Sequence, residues 1–249
     1  MTLSVFSIVP FSAGAAEADV SPAGTPDSYT DIHIGDSTYK DFENDEIAYY
    51  KFVPEQDMSI VFYSRMSFYA AAYLYDAEMN ILASFTKRNT NFKIPYDVTA
   101  GNTYYFGVDP RTSNSFIDIQ LKPLSEIKVG ETAAETFNRI GDYVYYKFVP
   151  EHDMWIDFNV LSNYSNTAAY LYDADMKQLA PEDDLSYDRE IVYNVTAGNT
   201  YYFGVLCADS ADVQLKELVF TEIKAGETAK VTIDKGAILP ISNSSPRRI

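Results

Sequence analysis

The chain has 249 residues, of which 47% are apolar and 15% aromatic, and its formal net charge is −17. This composition excludes a mainly disordered chain, and the acidity excludes nucleic acid and anionic lipid as natural partners, because a negative surface repels both. Extracellular polysaccharide, protein and divalent cations stay open as partners. The single cysteine, Cys207, excludes an internal disulfide.

The N-terminal segment is the first predicted element. An apolar run, LSVFSIVPF at 3–11, precedes SAGAAEAD, which contains two A-x-A patterns, and this order is typical of a signal peptide. The usual basic region is missing, since the first Lys or Arg is Lys40. We interpret residues 1–18 as signal-like and 19–31 as a linker, which predicts a secreted or cell-surface protein. No other segment is long and apolar enough to predict membrane insertion of the mature chain.

Three blocks of sequence then occur twice in the same order. YYKFVPE at 49–55 recurs at 145–151, AAYLYDA at 71–77 recurs at 168–174, and VTAGNTYYFGV at 98–108 recurs at 195–205. The offset is 96 for the first block (145 − 49) and 97 for the third (195 − 98). A period this long matches a whole domain, so we predict a tandem duplication with repeats at 32–124 and 125–220.

A third copy begins after the second repeat. EIKVGET at 126–132 returns as EIKAGET at 222–228, after which the pattern is lost. Residues 221–249 are therefore predicted to be the truncated start of a third repeat or a C-terminal tail.

Each repeat has the period-two alternation of strands that bury one face. In the block at 98–108, for example, Tyr104, Phe106 and Val108 share one face, while Tyr105 and Gly107 point the other way. Short, evenly spaced strands without a helical pattern predict an all-β fold with two tandem β-sandwich domains of about eight strands each. In the first repeat the strands are expected at 38–42, 47–53, 58–63, 69–75, 80–85, 91–97, 103–109 and 116–122.

In this order, the blocks YYKFVPE, YLYDA and VTAGNTYYFGV resemble the bacterial pre-peptidase C-terminal (PPC) domain family. The resemblance covers about 32–123 and 127–217. It implies a jelly-roll-like β-sandwich and the role of a non-catalytic accessory module. Related modules bind collagen or polysaccharide, some with calcium. The chain departs from the family pattern because only 19–31 separate the signal-like segment from the first repeat, so a direct peptidase role is not expected.

A site that the module needs should occur in both copies. His33 aligns with Lys128, His152 aligns with Gln56, and Cys207 has no counterpart in the first repeat. The sequence also lacks the G-x-S-x-G, H-E-x-x-H and P-loop motifs. We therefore predict that the protein is not an enzyme, although a hydrolase with an unrecognised carboxylate site stays open.

Calcium is the predicted cofactor, if the protein has one, because hard cations prefer several carboxylate oxygens. The second repeat has two such groups in adjacent loops, and the alternative is that these acids cap turns or lie in a solvated loop. The candidate ligands are Asp173, Asp175, Glu182, Asp183, Asp184 and Asp188.

Aromatic side chains supply the candidate ligand-binding residues. Tyr73 and Tyr75, with their counterparts Tyr170 and Tyr172, are expected to point away from the core. Trp155 replaces Ser59 at another outward position, and an exposed aromatic residue can anchor a ligand. The alternatives are that outward rings cover neighbouring strands and that Trp155 has a structural or interdomain role.

The sequence thus favours a non-catalytic secreted or cell-surface accessory module that binds or spaces. Two alternatives are kept: a calcium-supported carbohydrate- or matrix-binding module, and the hydrolase already mentioned.

Overall fold

A computed structural model of the chain describes residues 26–42, 46–65, 70–86, 91–110, 115–137, 142–163, 166–180 and 188–220. These residues form eighteen strands and no helix, so the predicted all-β class is confirmed. None of the described residues belongs to a helix long and apolar enough to cross a bilayer. The signal-like segment 1–18 and the partial third repeat at 221–249 lie outside the described residues.

The first repeat contains nine strands, eight of which lie where the sequence predicts them. They form a five-stranded sheet in the order β1-β3-β8-β5-β6 and a four-stranded sheet in the order β2-β9-β4-β7. The strands are β1 Thr30–Asp31, β2 Ser37–Phe42, β3 Ala48–Phe52, β4 Met58–Arg65, β5 Ala71–Tyr75, β6 Ile81–Phe85, β7 Lys93–Val98, β8 Tyr104–Asp109 and β9 Ser115–Pro123.

The second repeat has the same strand arrangement. Its five-stranded sheet has the order β10-β12-β17-β14-β15, and its four-stranded sheet has the order β11-β18-β13-β16. The strands are β10 Ser125–Glu126, β11 Thr132–Thr136, β12 Tyr143–Phe148, β13 Met154–Leu161, β14 Ala168–Tyr172, β15 Gln178–Ala180, β16 Asp188–Val195, β17 Tyr201–Leu206 and β18 Ser210–Leu218. Both sandwiches belong to one compact unit that ends at Leu218.

The two sheets of each sandwich enclose an aromatic core. In the first sandwich the ring of Phe62 stacks on the ring of Phe106 with 4.2 Å between the centroids. In the second, Phe158 stacks on Phe203 at 4.0 Å. These residues occupy the inward positions of the period-two pattern, so the alternation in the sequence assigns the core faces correctly.

The repeated stretch VTAGN forms a turn after strand β7 that is hydrogen-bonded to the residues just before β4. Gly101 has φ of 76°, a left-handed conformation that favours glycine. Its N–H donates to the carbonyl of Pro54 at 2.8 Å, and the N–H of Ala100 donates to the carboxylate of Asp57 at 2.8 Å. The second copy repeats both bonds, from Gly198 to Pro150 at 2.9 Å and from Ala197 to Asp153 at 2.8 Å.

The glycine of the repeated YYFGV strand is needed for space. A Cβ atom on Gly107 would lie 3.0 Å from the ring of Tyr75 and 3.2 Å from the ring of Tyr49, which flank the strand on the outer face of the sheet. Gly204 is flanked in the same way by Tyr145 at 3.0 Å and Tyr172 at 3.3 Å. The identical stretch therefore encodes a turn, a core strand and a glycine that leaves space for two tyrosine rings.

Candidate binding surfaces

The two sandwiches meet at a junction in which the outer face of the first four-stranded sheet packs on the outer face of the second five-stranded sheet. Tyr63 on β4 lies at its centre and is fully buried. Its ring meets the rings of Tyr143 and Tyr145 edge to face, with centroids 6.1 and 5.4 Å apart. The hydroxyl of Tyr63 donates to the side-chain carbonyl of Gln120 at 2.7 Å, so the buried polar atom is satisfied.

A buried charge cluster lies beside Tyr63. The guanidinium of Arg65 contacts two carboxylates, with Nη1 3.0 Å from Asp142 Oδ1 and Nε 3.6 Å from Asp118 Oδ2. Asp118 also accepts a hydrogen bond from the hydroxyl of Ser37 at 3.1 Å. Because Asp118 lies in the first sandwich and Asp142 in the second, one arginine joins carboxylates from both.

Cationic side chains extend the junction toward its rim. The Lys147 ammonium lies 3.0 Å from a carboxylate oxygen of Asp97, and the Lys93 ammonium lies 5.2 Å from the centre of the Tyr172 ring. Tyr172 is buried in the hydrophobic cluster of the junction, and Tyr170 packs against that cluster. One of the predicted ligand-binding tyrosines, Tyr172, therefore contacts the other repeat, and Tyr170 packs beside it.

Tyr73 and Tyr75 occupy the corresponding face of the first sandwich. They point away from the core, as the alternation predicts, and belong to a separate cluster with Ala71, Met79 and Tyr105. Their exposed fractions are only 8% and 0%. Neither ring is therefore open to an external ligand in this conformation.

Trp155 lies on the outer face of the second four-stranded sheet and is 43% exposed, in agreement with its predicted outward position. We use the name Trp155 face for the outward residues of β13 and of the two strands paired with it. Register places Trp155 opposite Asn194 and Leu218, Asp157 opposite Val192 and Lys216, and Asn159 opposite Glu190 and Gln214.

The Trp155 face has a polar centre next to its indole. Burial raises the pKa of the Asp157 carboxyl, although a hydrogen bond with Asn159 and the charge of Lys216 oppose that shift. Burial also raises the pKa of Glu190, and the negative charge of Asp157 adds to this effect. Among the described residues, Oδ1 of Asp157 is a buried acceptor without a hydrogen-bond partner. The face therefore contains a carboxylate with one buried oxygen that lacks a compensating hydrogen bond, and this raises the cost of its charged form.

The predicted calcium ligands divide into two groups. Oδ1 of Asp173 accepts the backbone N–H groups of Asp175 and Lys177 at 3.0 and 2.8 Å, so this carboxylate caps its own turn. Asp188 begins β16, but its side chain is not described. Glu182, Asp183 and Asp184 lie outside the described residues, within which no group of three potential metal ligands occurs.

The remaining reactive side chains lie in separate places. His33 is 3.3 Å from Asp36 in an exposed turn, and His152 is 3.3 Å from Glu217 on the second sandwich. Cys207 is buried, with its sulfur 3.2 Å from the hydroxyl of Ser162. Each group thus has a local partner of its own.

No protein-family model and no curated protein matches the chain. The resemblance to the PPC family therefore rests on the duplicated blocks of sequence alone.

Sequence reasoning missed the junction. The signal lay in a difference between the copies, because the outward positions of β4 hold Val61 and Tyr63, whereas the equivalent positions of β13 hold Asp157 and Asn159. At these two central positions, apolar and aromatic side chains occur in only one copy, which indicates that this part of that copy's face is covered.

Proposed function

We propose that the chain is a non-catalytic accessory module of a secreted or cell-surface protein, in which two joined β-sandwiches bind or space an extracellular partner. The junction carries this proposal. It combines the buried Tyr63 ring, the Arg65 charge cluster and a second ion pair at the rim, and such a joint restricts the angle between the sandwiches. A spacer needs a restricted angle between its domains, and a binding module needs its binding surface held in a fixed orientation.

The resemblance to the PPC family supports the accessory role, and the signal-like segment supports export. The duplication adds a further argument. What the two copies share is structural, namely the turn at VTAGN, the core strand and the tyrosines around Gly107 and Gly204. Each of the two histidines and the cysteine occupies a position that has no identical residue in the other copy, which fits a scaffold better than a reaction centre.

Two measurements on the purified chain test this proposal. Small-angle X-ray scattering should give a profile that matches the described arrangement of the sandwiches. A screen with peptide, ester, glycoside and phosphate substrates should give no turnover above buffer. Turnover that His152→Ala abolishes while the matched control His33→Ala retains it would overturn the non-catalytic role. A scattering profile of two independently moving bodies would overturn the fixed joint.

A further inference from the structure

The duplication assigns a role to one sheet face of this fold. In the first sandwich the outer face of the four-stranded sheet is a docking surface, because it holds the tyrosine face of the second sandwich. The equivalent surface of the second sandwich is the Trp155 face, whose indole and Leu161 are exposed. Among the residues that the structure describes, the same site in the fold is thus covered in one copy, while no described element covers it in the other.

The residues of the Trp155 face differ from those that receive the tyrosine face in the first sandwich. Asp157 and Asn159 stand where the first copy has Val61 and Tyr63, and Glu190 stands where it has Lys93. An apolar cover would bury two carboxylates, of which Asp157 already has an oxygen without a partner. Burying charge without new hydrogen bonds is costly, so the occupant must supply donors.

We propose that the Trp155 face binds a neutral polysaccharide, an inference that rests on the proposed accessory function. A sugar ring has an apolar C–H face that packs on a flat indole, and its hydroxyls donate to carboxylates and accept from amides. Trp155 supplies the indole, the exposed Glu190 supplies a carboxylate acceptor, and Asn159 and Gln214 supply amides that both donate and accept.

The shape and charge of the face support an extended, uncharged chain. Trp155 and Asn159 lie on one face of one strand, about 13 Å apart at the usual rise of a β-strand, which exceeds the length of a single sugar ring. The face is part of an open sheet rather than a closed cavity. The carboxylates on the face and the net charge of −17 repel anionic polymers, so the ligand is expected to be neutral.

The test measures depletion of the full chain from solution by cellulose, xylan and chitin, with polygalacturonate and collagen as comparison polymers. Wild type should be retained on a neutral polysaccharide, and Trp155→Ala should weaken retention at least about tenfold, the loss typical of a hot-spot aromatic residue. Phe116→Ala is the matched control, because Phe116 is 50% exposed on the first sandwich and should leave retention unchanged. Asn159→Ala tests the polar centre independently of the indole.

Each other outcome overturns the proposal. Retention on no neutral polysaccharide, retention unaffected by Trp155→Ala, or retention on collagen alone would exclude a sugar-binding Trp155 face. Sedimentation that shows self-association abolished by Trp155→Ala would make the face an interface between copies. Failure of this inference can be told apart from failure of the proposed function. A chain that neither binds a polysaccharide nor catalyses a reaction would defeat the sugar-binding inference but not the proposed accessory function. Hydrolysis of a bound polymer would defeat the non-catalytic function but not the sugar-binding inference.

Discussion

The guanidinium of Arg65 on the first sandwich lies 3.0 Å from the carboxylate of Asp142 on the second, and both side chains are largely buried. The same guanidinium is the cation beside Asp118, whose side chain is completely buried. Removing it leaves two carboxylates in a region of low dielectric, where the remaining charge is more costly than the intact pair.

Arg65→Ala should therefore lower the free energy of unfolding by about 3 kcal/mol, the low end of the range for breaking a buried ion pair. Chemical denaturation measures the change. Leu161→Ala is the matched control, because Leu161 occupies the equivalent position of the second sandwich but is exposed. Equal stability of the two variants would show that Arg65 does not hold the junction together.

Gly204→Ala should destabilise the chain by roughly 1–3 kcal/mol, the usual range for overpacking, since the new methyl group would meet two tyrosine rings. Gly107→Ala should cost a similar amount, because two tyrosine rings crowd its Cβ position as well. The two variants differ in their second effect. Tyr145 and Tyr172 also form the junction, so only Gly204→Ala should change the small-angle scattering profile. A change of profile in both variants, or in neither, would contradict this role of the tyrosines.

The sequence predicted the strands of this fold better than it predicted the covered surfaces. Alternation assigns a residue to one of two faces, and it placed Phe62 and Phe106 in the core and Trp155 on the outside. The strands β1 and β10, with two residues each, were missed because they are too short for any periodic pattern. Their register comes from pairing with β3 and β12.

What covers an outer face depends on another element, and periodicity within one strand carries no such information. Tyr63 and Tyr172 both lie at outward positions and are nevertheless buried, because each covers the other's sheet. Comparison of the copies could have revealed this, since Tyr63 becomes Asn159 where the face is open. The Trp155 face was accessible to sequence reasoning only through its indole, because Asp157, Asn159 and Gln214 come together through strand pairing.

The turn carboxylates allow the calcium prediction to be tested against an internal control. Asp76 accepts the N–H groups of Glu78 and Asn80 at 3.0 and 2.8 Å, as Asp173 does in the second copy. Asp76→Ala and Asp173→Ala should each lower stability by about 1 kcal/mol through loss of these hydrogen bonds. Thermal unfolding in calcium and in EDTA should give the same loss for both variants.

A calcium-dependent loss confined to Asp173→Ala would instead favour a metal site in the second sandwich. The first repeat serves as the control because its sequence has TKRNTNF at 86–92, with Lys87 and Arg88, where the second repeat has EDDLSYD at 182–188.

Asp157→Asn should make the stability of the chain less dependent on pH. Burial raises the pKa of this carboxyl in the folded chain above 3.8, its ordinary value. Between the ordinary and the raised value, the folded chain binds more protons than the unfolded chain, so stability falls as pH rises through that window. The destabilisation is complete above the folded pKa and absent below the unfolded one. The variant should therefore be more stable than wild type at pH 7, and its advantage should shrink as the pH approaches 4.

Glu190→Gln should act in the same direction, because burial and the charge of Asp157 raise the pKa of Glu190. The double variant should gain less than the sum of the single variants, since either change removes the repulsion between the two carboxylates. Urea denaturation between pH 4 and 7 measures all three. An Asp157→Asn variant that is less stable than wild type at pH 7 would mean that the folded chain stabilises this carboxylate, which would contradict the raised pKa.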